Sequence, residues 1–302
     1  MPLQKLSGTD AFVVTDLAGA AHADGIVRWA KKVLQDGART MARSRTYSWA
    51  LLGQQVSGLS AGISAPPEDR DGAIAAFVAE MQGPVSDGSC SFDAGKGVAP
   101  GDLTALDELD RRSPLRIEIG DELLGIGIAT AADVALGGLS GATAVIEGAG
   151  DAGDAIAAAL TAAGATVAGT GSGAEVATTA SDLLVCGSKL GLVDHELAAA
   201  LPQRAIVPCG VAPVTAKGLA TASRRDIVVV ADFLSLLGPL MAFRPDEGAT
   251  PESLRTAVAE TVRTIATEVA DHDEGPYLGA AYRAEDFLRT WQEELPFGRP
   301  LA

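Results

Sequence analysis

The apolar positions of this chain fall into short runs separated by glycine, proline and acidic residues, and their spacing changes along its length. Ala11-Phe12-Val13-Val14 predicts a short strand. Residues 27–45 carry apolar and basic side chains at helical spacing, and a glycine-rich patch follows at 53–62. Residues 71–81 predict a helix with Ile74, Phe77, Val78 and Met81 on one face. The stretch 83–101 predicts loop, and 102–112 a helix begun by an acidic residue after Pro100-Gly101.

From about 121 the pattern becomes a regular alternation. A helix over 127–136 is followed by the runs Ala144-Val145-Ile146, Ala165-Thr166-Val167-Ala168, Asp182-Leu183-Leu184-Val185, Ala205-Ile206-Val207 and Ile227-Val228-Val229-Val230. Each is short and apolar enough for a strand buried on both faces of a parallel sheet. Helical stretches such as 154–163 and 194–201 lie between them, so the middle of the chain predicts a doubly wound α/β sheet. Past a Pro/Asp/Gly linker at Arg244, Thr250-Pro251-Glu252-Ser253 starts a helix with proline just inside. Residues 254–269 form its amphipathic body, and a last helix covers 284–295, ended by Pro296.

One turn in this alternation carries chemistry. Gly148-Ala149-Gly150-Asp151-Ala152-Gly153 links a predicted strand to a predicted helix, and a second strand follows. That is the context of a dinucleotide-binding fingerprint. The first glycine makes the tight turn, the second lets backbone approach a pyrophosphate, and the third lets helix pack on strand. Free N–H groups at the helix start favour phosphate, which nominates Gly148, Gly150, Asp151, Ala152 and Gly153 as cofactor contacts. A tight βα turn without a ligand accounts for the same residues. The next strand ends in Gly169-Thr170-Gly171-Ser172-Gly173, with no acidic side chain for a ribose and no nearby Arg or Lys for the extra phosphate of NADP. The choice between NAD and NADP therefore stays open.

Composition narrows the partners. A net charge of −16 argues against nucleic acid and anionic membranes, both of which call for clustered Lys and Arg. No apolar run reaches bilayer length, and the N-terminus lacks the long apolar stretch of a signal peptide. Cys90, Cys186 and Cys209 are odd in number and widely spaced, which fits a reducing cytoplasm, with a buried or incidental thiol as the expectation for Cys90. His22, His195 and His272 have no metal-ligand spacing, so no metal site is expected. Lys189, just beyond a predicted strand end, reads as solvated, with a phosphate or substrate contact as the alternative.

The first part of the chain adds a resemblance. Thr46-Tyr47-Ser48-Trp49-Ala50-Leu51-Leu52-Gly53 followed by Ser57-Gly58-Leu59-Ser60-Ala61-Gly62-Ile63 is similar to the MTYKxAxxGxxxGGGKxxI stretch of the glutamate/leucine/phenylalanine/valine dehydrogenase family. Ser91-Phe92-Asp93-Ala94-Gly95 resembles that family's acidic loop. Gly127-Ile128-Ala129 resembles its glycine-containing helix, and Val230-Ala231-Asp232-Phe233 its PDF/PDY motif. These matches occur in the family order and span most of the chain. They imply two domains: an N-terminal α/β substrate and oligomerisation domain over 1–120 plus 245–302, and a Rossmann-like dinucleotide-binding domain over 121–244. They also imply a homodimer or larger homo-oligomer and, as the family reaction, oxidative deamination of an L-amino acid with hydride transfer to NAD or NADP.

The departures from the motif bear on that reaction. The family uses one lysine for the substrate carboxylate and another to activate water, and the matching positions are Ser48 and Ser60. A neutral hydroxyl replaces neither an ionic partner nor an ammonium group of lowered pKa. Asp93 matches the family's catalytic aspartate and is retained without a lysine neighbour. Leu236, Ala212-Pro213 and Leu124 stand where the family has polar contacts to substrate and nicotinamide. Ser48, Ser60 and Asp93 are thus the candidate catalytic residues. Arg28, Arg43, Arg45 and Lys96 are cations that could hold a carboxylate, though the plain expectation for Arg45 is a surface arginine at a helix end.

Three functions follow from this reading. One is a divergent NAD(P)-linked oxidoreductase acting on a small amino- or imino-acid-derived substrate, and not a standard oxidative deaminase. The second is an inactive homologue serving as a binding or regulatory subunit. The third is a non-redox enzyme, of condensation or cyclisation, that reuses the cleft.

Overall fold

The structure is a computed structural model that describes residues 1–295 and 298–302. The chain forms two compact units, Met1–Arg111 with Leu288–Pro300, and Arg112–Phe287 with Leu301–Ala302.

The first unit is built on a five-stranded mixed sheet of β1 (Leu3–Lys5), β2 (Ala11–Thr15), β3 (Ala23–Ala30), β4 (Ser57–Ser64) and β5 (Cys90–Ala94), in the order β1-β2-β4-β3-β5. β3 runs parallel to both β4 and β5, and α1 (Gln35–Leu51) is the crossover from β3 to β4. α2 (Arg70–Ser86) connects β4 to β5. Two sequence expectations change here. Residues 27–30 belong to a strand and not to a helix, because eight residues of β3 lie in register along β4. The glycine-rich patch also contains a strand, since Gly58 and Gly62 allow close approach: a Cβ at Gly58 would lie 1.9 Å from the Ala42 carbonyl oxygen of α1.

Alternation along these strands gives the sheet two different faces. Leu59, Ala61, Ile63, Val27, Val13 and Phe92 point to one side and join Ile74, Phe77, Val78 and Met81 of α2 in an apolar core. Phe77 and Phe92 meet edge to face there, with centroids 5.3 Å apart. The other face carries Gly58, Ser60, Asp24, Ile26, Arg28, Ser91 and Asp93 at matching register. α1 covers its β2–β4 part through Ala38 and Ala42, which pack on Phe12 and Val14.

The helix predicted over 102–112 shrinks to the single turn α3 (Thr104–Asp107), preceded by a 3₁₀ turn at Pro100–Leu103. A second single turn, α4 (Leu115–Glu118), leads into α5 (Gly120–Leu136), which starts seven residues earlier than the periodicity indicates.

The second unit contains an all-parallel sheet of β6 (Thr143–Glu147), β7 (Thr166–Gly171), β8 (Leu183–Cys186), β9 (Ala205–Pro208) and β10 (Val228–Val229), in the order β10-β9-β8-β6-β7. The connecting helices are α6 (Gly153–Ala162), α7 (Ala174–Ala177), α8 (His195–Ala200) and α9 (Ala216–Ser223). Chain direction across the sheet reverses between β6 and β8, the switch point where folds of this kind accept ligands. β8 and β9 are wholly buried, as their continuous apolar runs require.

After β10 come α10 (Asp232–Ser235), α11 (Leu237–Met241), α12 (Pro251–Ala270) and α13 (Pro276–Leu288). Thr250 caps α12 by accepting the Ser253 N–H, with Pro251 at the first helical position. α12 packs along α5, so residues 245–287 join the sheet unit, where the resemblance had implied the N-terminal one. The reason lies in the buried stripe of α12 (Leu254, Val258, Val262, Ile265, Ala266, Val269), a continuous apolar surface alongside the alanine-rich α5. The final helix also begins eight residues earlier than predicted, and the Pro296 expected to end it lies outside the described residues.

Candidate functional site

In the first unit Ser60 and Asp93 stand on the face of the sheet that carries α1, and Ser48 lies on α1 itself. Ser48 is buried on α1, and its hydroxyl donates to the Ser44 carbonyl at 3.3 Å, one turn back in its own helix. Such back-bonding satisfies a helical serine without any external partner. Ser60 is fully buried on β4, and its Oγ has no hydrogen-bond partner among the described residues. Asp93 sits on β5 with 31% of its side chain exposed, so it is the member of the three that solvent reaches.

Asp93 has a cationic counterpart. Arg45 Nη2 lies 3.2 Å from Asp93 Oδ2, and Arg45 Nε lies 2.8 Å from Asp24 Oδ1. The expectation of a surface arginine at a helix end is therefore overturned. Arg45 stands two turns inside α1, its side chain is only 18% exposed, and it bridges two carboxylates. Asp24 is completely buried and also accepts from Trp49 Nε1 at 3.2 Å. Ser91 Oγ lies 3.4 Å from Asp24 Oδ2 and 3.2 Å from His22 Nε2, while His22 Nδ1 lies 2.8 Å from the Gly88 carbonyl.

A second buried pair flanks this network. Arg43 Nε lies 2.8 Å from both oxygens of Asp16, and Arg43 Nη1 reaches the Gly298 carbonyl. Burial pushes the Asp16 carboxyl above its ordinary value, outweighing the opposing pull of Arg43. Asp16, Asp24 and their arginine bonds were missed by sequence reasoning. The available signal was an isolated acid at the end of one apolar strand and another at the start of the next, opposite a helix with arginine at 43 and 45.

In the second unit the fingerprint forms its turn as expected: β6, a glycine turn with Gly148 at φ +69° and Gly150 at φ +57°, then a 3₁₀ turn over Gly150–Ala152 and α6. Space over Gly150 is open, which suits the approach of a ligand's phosphate. Gly148 is different: a Cβ there would fall 2.3 Å from Ser188 Cβ and 2.4 Å from Ser188 N, so the loop after β8 already lies against it. The Gly148 N–H is itself used, donating to the Gly171 carbonyl at 2.7 Å.

The neighbouring charge is acidic. Glu147, the last residue of β6, is completely buried; its Oε1 accepts the Gly173 N–H at 2.7 Å, and its Oε2 those of Gly187 and Ser188 at 3.3 and 3.2 Å. Three backbone donors, one after β7 and two after β8, thus already hold an anion belonging to the chain. Asp151 and Asp154, both exposed, add two more carboxylates at the turn and first helical residues, where they compete with phosphate for the helix N-terminus. Ala152 is buried beneath the turn, and Gly153 begins α6 with ordinary helical angles. The cradle has the shape of a dinucleotide site, and acidic side chains stand around it: Glu147 holds donors of the loops after β7 and β8, and Asp151 and Asp154 lie in the turn and the first turn of α6. Lys189 is exposed and belongs to the weaker influences that hold Asp194 low; the main one is the Leu197 N–H that Asp194 accepts as cap of α8.

Further along, Asp232 opens α10 and its Oδ2 accepts the Ala212 N–H at 2.9 Å, tying the loop after β9 to the end of β10. Cys186 and Cys209 lie behind Glu147. Burial pushes the Cys186 thiol well up, and burial with the Glu147 charge pushes Cys209 to about 12. Among the described residues no group of three or more His, Cys, Asp or Glu could hold a metal ion, and no helix is long and apolar enough to cross a membrane.

No protein-family model and no curated protein sequence matches the chain. Solved structures do. The hetero-hexameric glutamate dehydrogenase of Thermus thermophilus in its Leu-bound form superposes with a TM-score of 0.79 over 97% of this chain and 88% of its own, at 18% identity. L-tryptophan dehydrogenase of Nostoc punctiforme gives 0.70 over 96% of each chain at 14% identity. Plasmodium falciparum glutamate dehydrogenase gives 0.74 over 93% of this chain and 79% of its own at 13% identity. The chain therefore has the two-domain amino-acid dehydrogenase fold.

Proposed function

We propose that this chain is a small-molecule-binding protein on the amino-acid dehydrogenase fold, serving as a binding or regulatory subunit and not as an amino-acid deaminase. The observation that carries this reading is Glu147. Its buried carboxylate takes the backbone N–H groups of Gly173 after β7 and of Gly187 and Ser188 after β8, and Asp151 and Asp154 add negative charge at the glycine turn. A pyrophosphate brought to this edge of the sheet meets like charge. The first unit agrees. If Ser48 and Ser60 occupy the two lysine positions, neither supplies a cation, and losing one proton-transfer group alone lowers a rate about 10²–10⁴-fold.

The relative from Thermus thermophilus is described as hetero-hexameric and leucine-bound. A chain of this fold suits such an assembly, either with itself as a homo-oligomer or beside a catalytic partner. A divergent NAD(P)-linked oxidoreductase of an amino- or imino-acid-derived substrate is the second reading, and the open space over Gly150 favours it.

Calorimetry with NAD, NADH, NADP and NADPH separates the two. The expected result is no saturable binding at millimolar cofactor and no amino-acid-dependent nicotinamide reduction. Saturable binding together with turnover would overturn the proposal in favour of the second reading.

A further inference from the structure

β10 is an edge strand of the second unit's sheet, with β9 and β8 between it and β6. It is two residues long, so it covers little of what lies beside it. α9 ends next to it, and a turn through Asp226, at φ +56°, carries the chain into the strand. Gly275, at φ +87°, turns the chain into α13. Between these elements lies a cavity of about 570 Å³ walled by Leu219, Ala220, Val229, Tyr277, Leu278 and Leu301, all within the second unit. Tyr277 packs edge to face on Phe233, centroids 5.5 Å apart, which fixes that wall. The volume and the apolar lining are those of a small-molecule site. Asp226 and Ile227, which line it, precede β10, so the cavity reaches the amino end of that strand, whereas the glycine turn follows the carboxyl end of β6.

The charges around this cavity have one sign. Among the described residues, the charged ones that line it are both acids, Asp226 and Glu274. A neighbouring cavity of about 220 Å³ shares Val228 and Pro276 with it and is lined by apolar residues and Asp271. The nearby bases are turned to other partners. Arg225 Nη1 donates to the Ala198 and Leu201 carbonyls at 2.7 and 2.8 Å, and Arg224 Nη2 to the Thr221 hydroxyl at 3.0 Å. α9 lines the cavity with Ala216, Leu219, Ala220 and Ser223, one face at helical spacing, and Lys217 is not part of that lining. The two acids differ in what they already hold. Glu274 Oε2 accepts the Tyr282 hydroxyl at 2.6 Å. The exposed Asp226 carboxylate has no hydrogen bond or ion pair among the described residues.

An apolar body gains by leaving water for these walls. A cationic head on the same molecule meets carboxylates with no base lining the cavity to compete, and the net charge of −16 draws it to the protein. A carboxylate head meets like charge, which sets molecules such as amino acids and fatty acids at a disadvantage. We infer that this cavity binds an apolar organic cation, its ammonium at Asp226 and its body against Leu219, Tyr277 and Leu301. The inference goes beyond the proposed function: the site lies away from the glycine turn, and cofactor calorimetry neither supports nor removes it.

The experiment uses the full-length protein and three probes that share one apolar chain and differ in charge: octylamine, octanol and octanoate. Calorimetry is run on wild type, Asp226→Asn and Ala220→Trp, with circular dichroism and melting temperature recorded for each. Asparagine accepts a positive φ, so the first variant removes the charge and keeps the turn. Ala220 is exposed on α9, so a tryptophan there fills the cavity without entering the core. The expected result is saturable binding of octylamine by wild type below about 1 mM, with octanol about 3- to 10-fold weaker and octanoate weakest. Asp226→Asn should bring octylamine down to the affinity of octanol and leave octanol unchanged. Ala220→Trp should weaken both by about tenfold or more. Wild type that binds none of the three overturns the site, and octanoate bound as tightly as octylamine overturns the cation assignment. A folded Ala220→Trp that binds as wild type overturns the location. An Asp226→Asn protein that keeps the full preference for the amine overturns the anchor, whether or not Ala220→Trp folds.

Discussion

Arg45 on α1 and Asp93 on β5 are joined through Nη2 and Oδ2 at 3.2 Å, and the same guanidinium holds buried Asp24 through Nε. The retained acid of the motif is therefore engaged in an ion network that spans helix and sheet. Asp24 has no exposure, so its charge depends on Arg45 more than half-exposed Asp93 does. Arg45→Met leaves that carboxylate buried without its cation, and the expected loss is about 3–5 kcal/mol. Chemical denaturation measures it, and a loss below about 1 kcal/mol would show that water replaces the guanidinium.

Ser60 leads to the opposite expectation. Its hydroxyl is buried with no partner among the described residues, so Ser60→Ala removes a desolvated group and no bond to them. Stability should stay within about 0.5 kcal/mol of wild type or rise, and ligand affinity should not change. A marked loss of binding in Ser60→Ala would restore this residue to the site.

The acidic turn after β6 makes a prediction for the cofactor. Asp151→Asn combined with Asp154→Asn removes two like charges from the approach to Gly150. At roughly 1 kcal/mol per exposed charge near contact distance, the variant should show weak, salt-sensitive NADH binding at millimolar cofactor where wild type shows none. A variant that still binds no NADH would mean that shape at Gly148, and not charge, excludes the dinucleotide.

Thiol chemistry reads the environment behind Glu147. With Cys209 held near 12 and Cys186 higher than its ordinary value, neither forms thiolate at pH 8 in the folded protein. A chromogenic disulfide reagent should titrate at most one thiol per native chain and all three in guanidinium chloride. Two fast thiols in the native protein would contradict the buried arrangement.

Asp182 fixes the start of β6, accepting the Thr143 N–H and hydroxyl, each at 2.9 Å, beside Arg204. The Thr143 N–H is the main cause of its lowered pKa, below the usual 3.8. A folded-state pKa below the unfolded one gives stability that is present above the unfolded value and is lost as pH falls through the folded value. Asp182→Ala should cost about 1–2 kcal/mol at pH 7 from the lost hydrogen bonds, with the gap to wild type closing below about pH 4. Urea melts across pH 3–7 measure it, and a gap that stays constant would separate these bonds from the Asp182 charge.

Much of the second unit was legible in the order of residues. Its strands are buried on both faces, so they appear as the uninterrupted runs Leu183-Leu184-Val185 and Ala205-Ile206-Val207, and the glycine turn announces its own backbone. The first unit was harder. β4 is Ser57-Gly58-Leu59-Ser60-Ala61-Gly62, and its small residues reflect the close passage of α1, a tertiary cause that no local pattern carries. The motif resemblance found Ser48, Ser60 and Asp93, but not what holds them.

The sequence by itself determined the alternation of elements, the parallel sheet, the glycine turn and the absence of lysine at 48 and 60, since each follows from residue type and spacing along one stretch of chain. Only the tertiary structure decided that Arg45 pairs with Asp93, that Glu147 holds backbone donors after β7 and β8, and that Arg28 Nε and Nη2 are buried without a partner among the described residues. Those outcomes depend on polar and charged groups 26 to 48 residues apart meeting in a low-dielectric interior, where pairing or its absence is set by which faces the strands and helices present to one another.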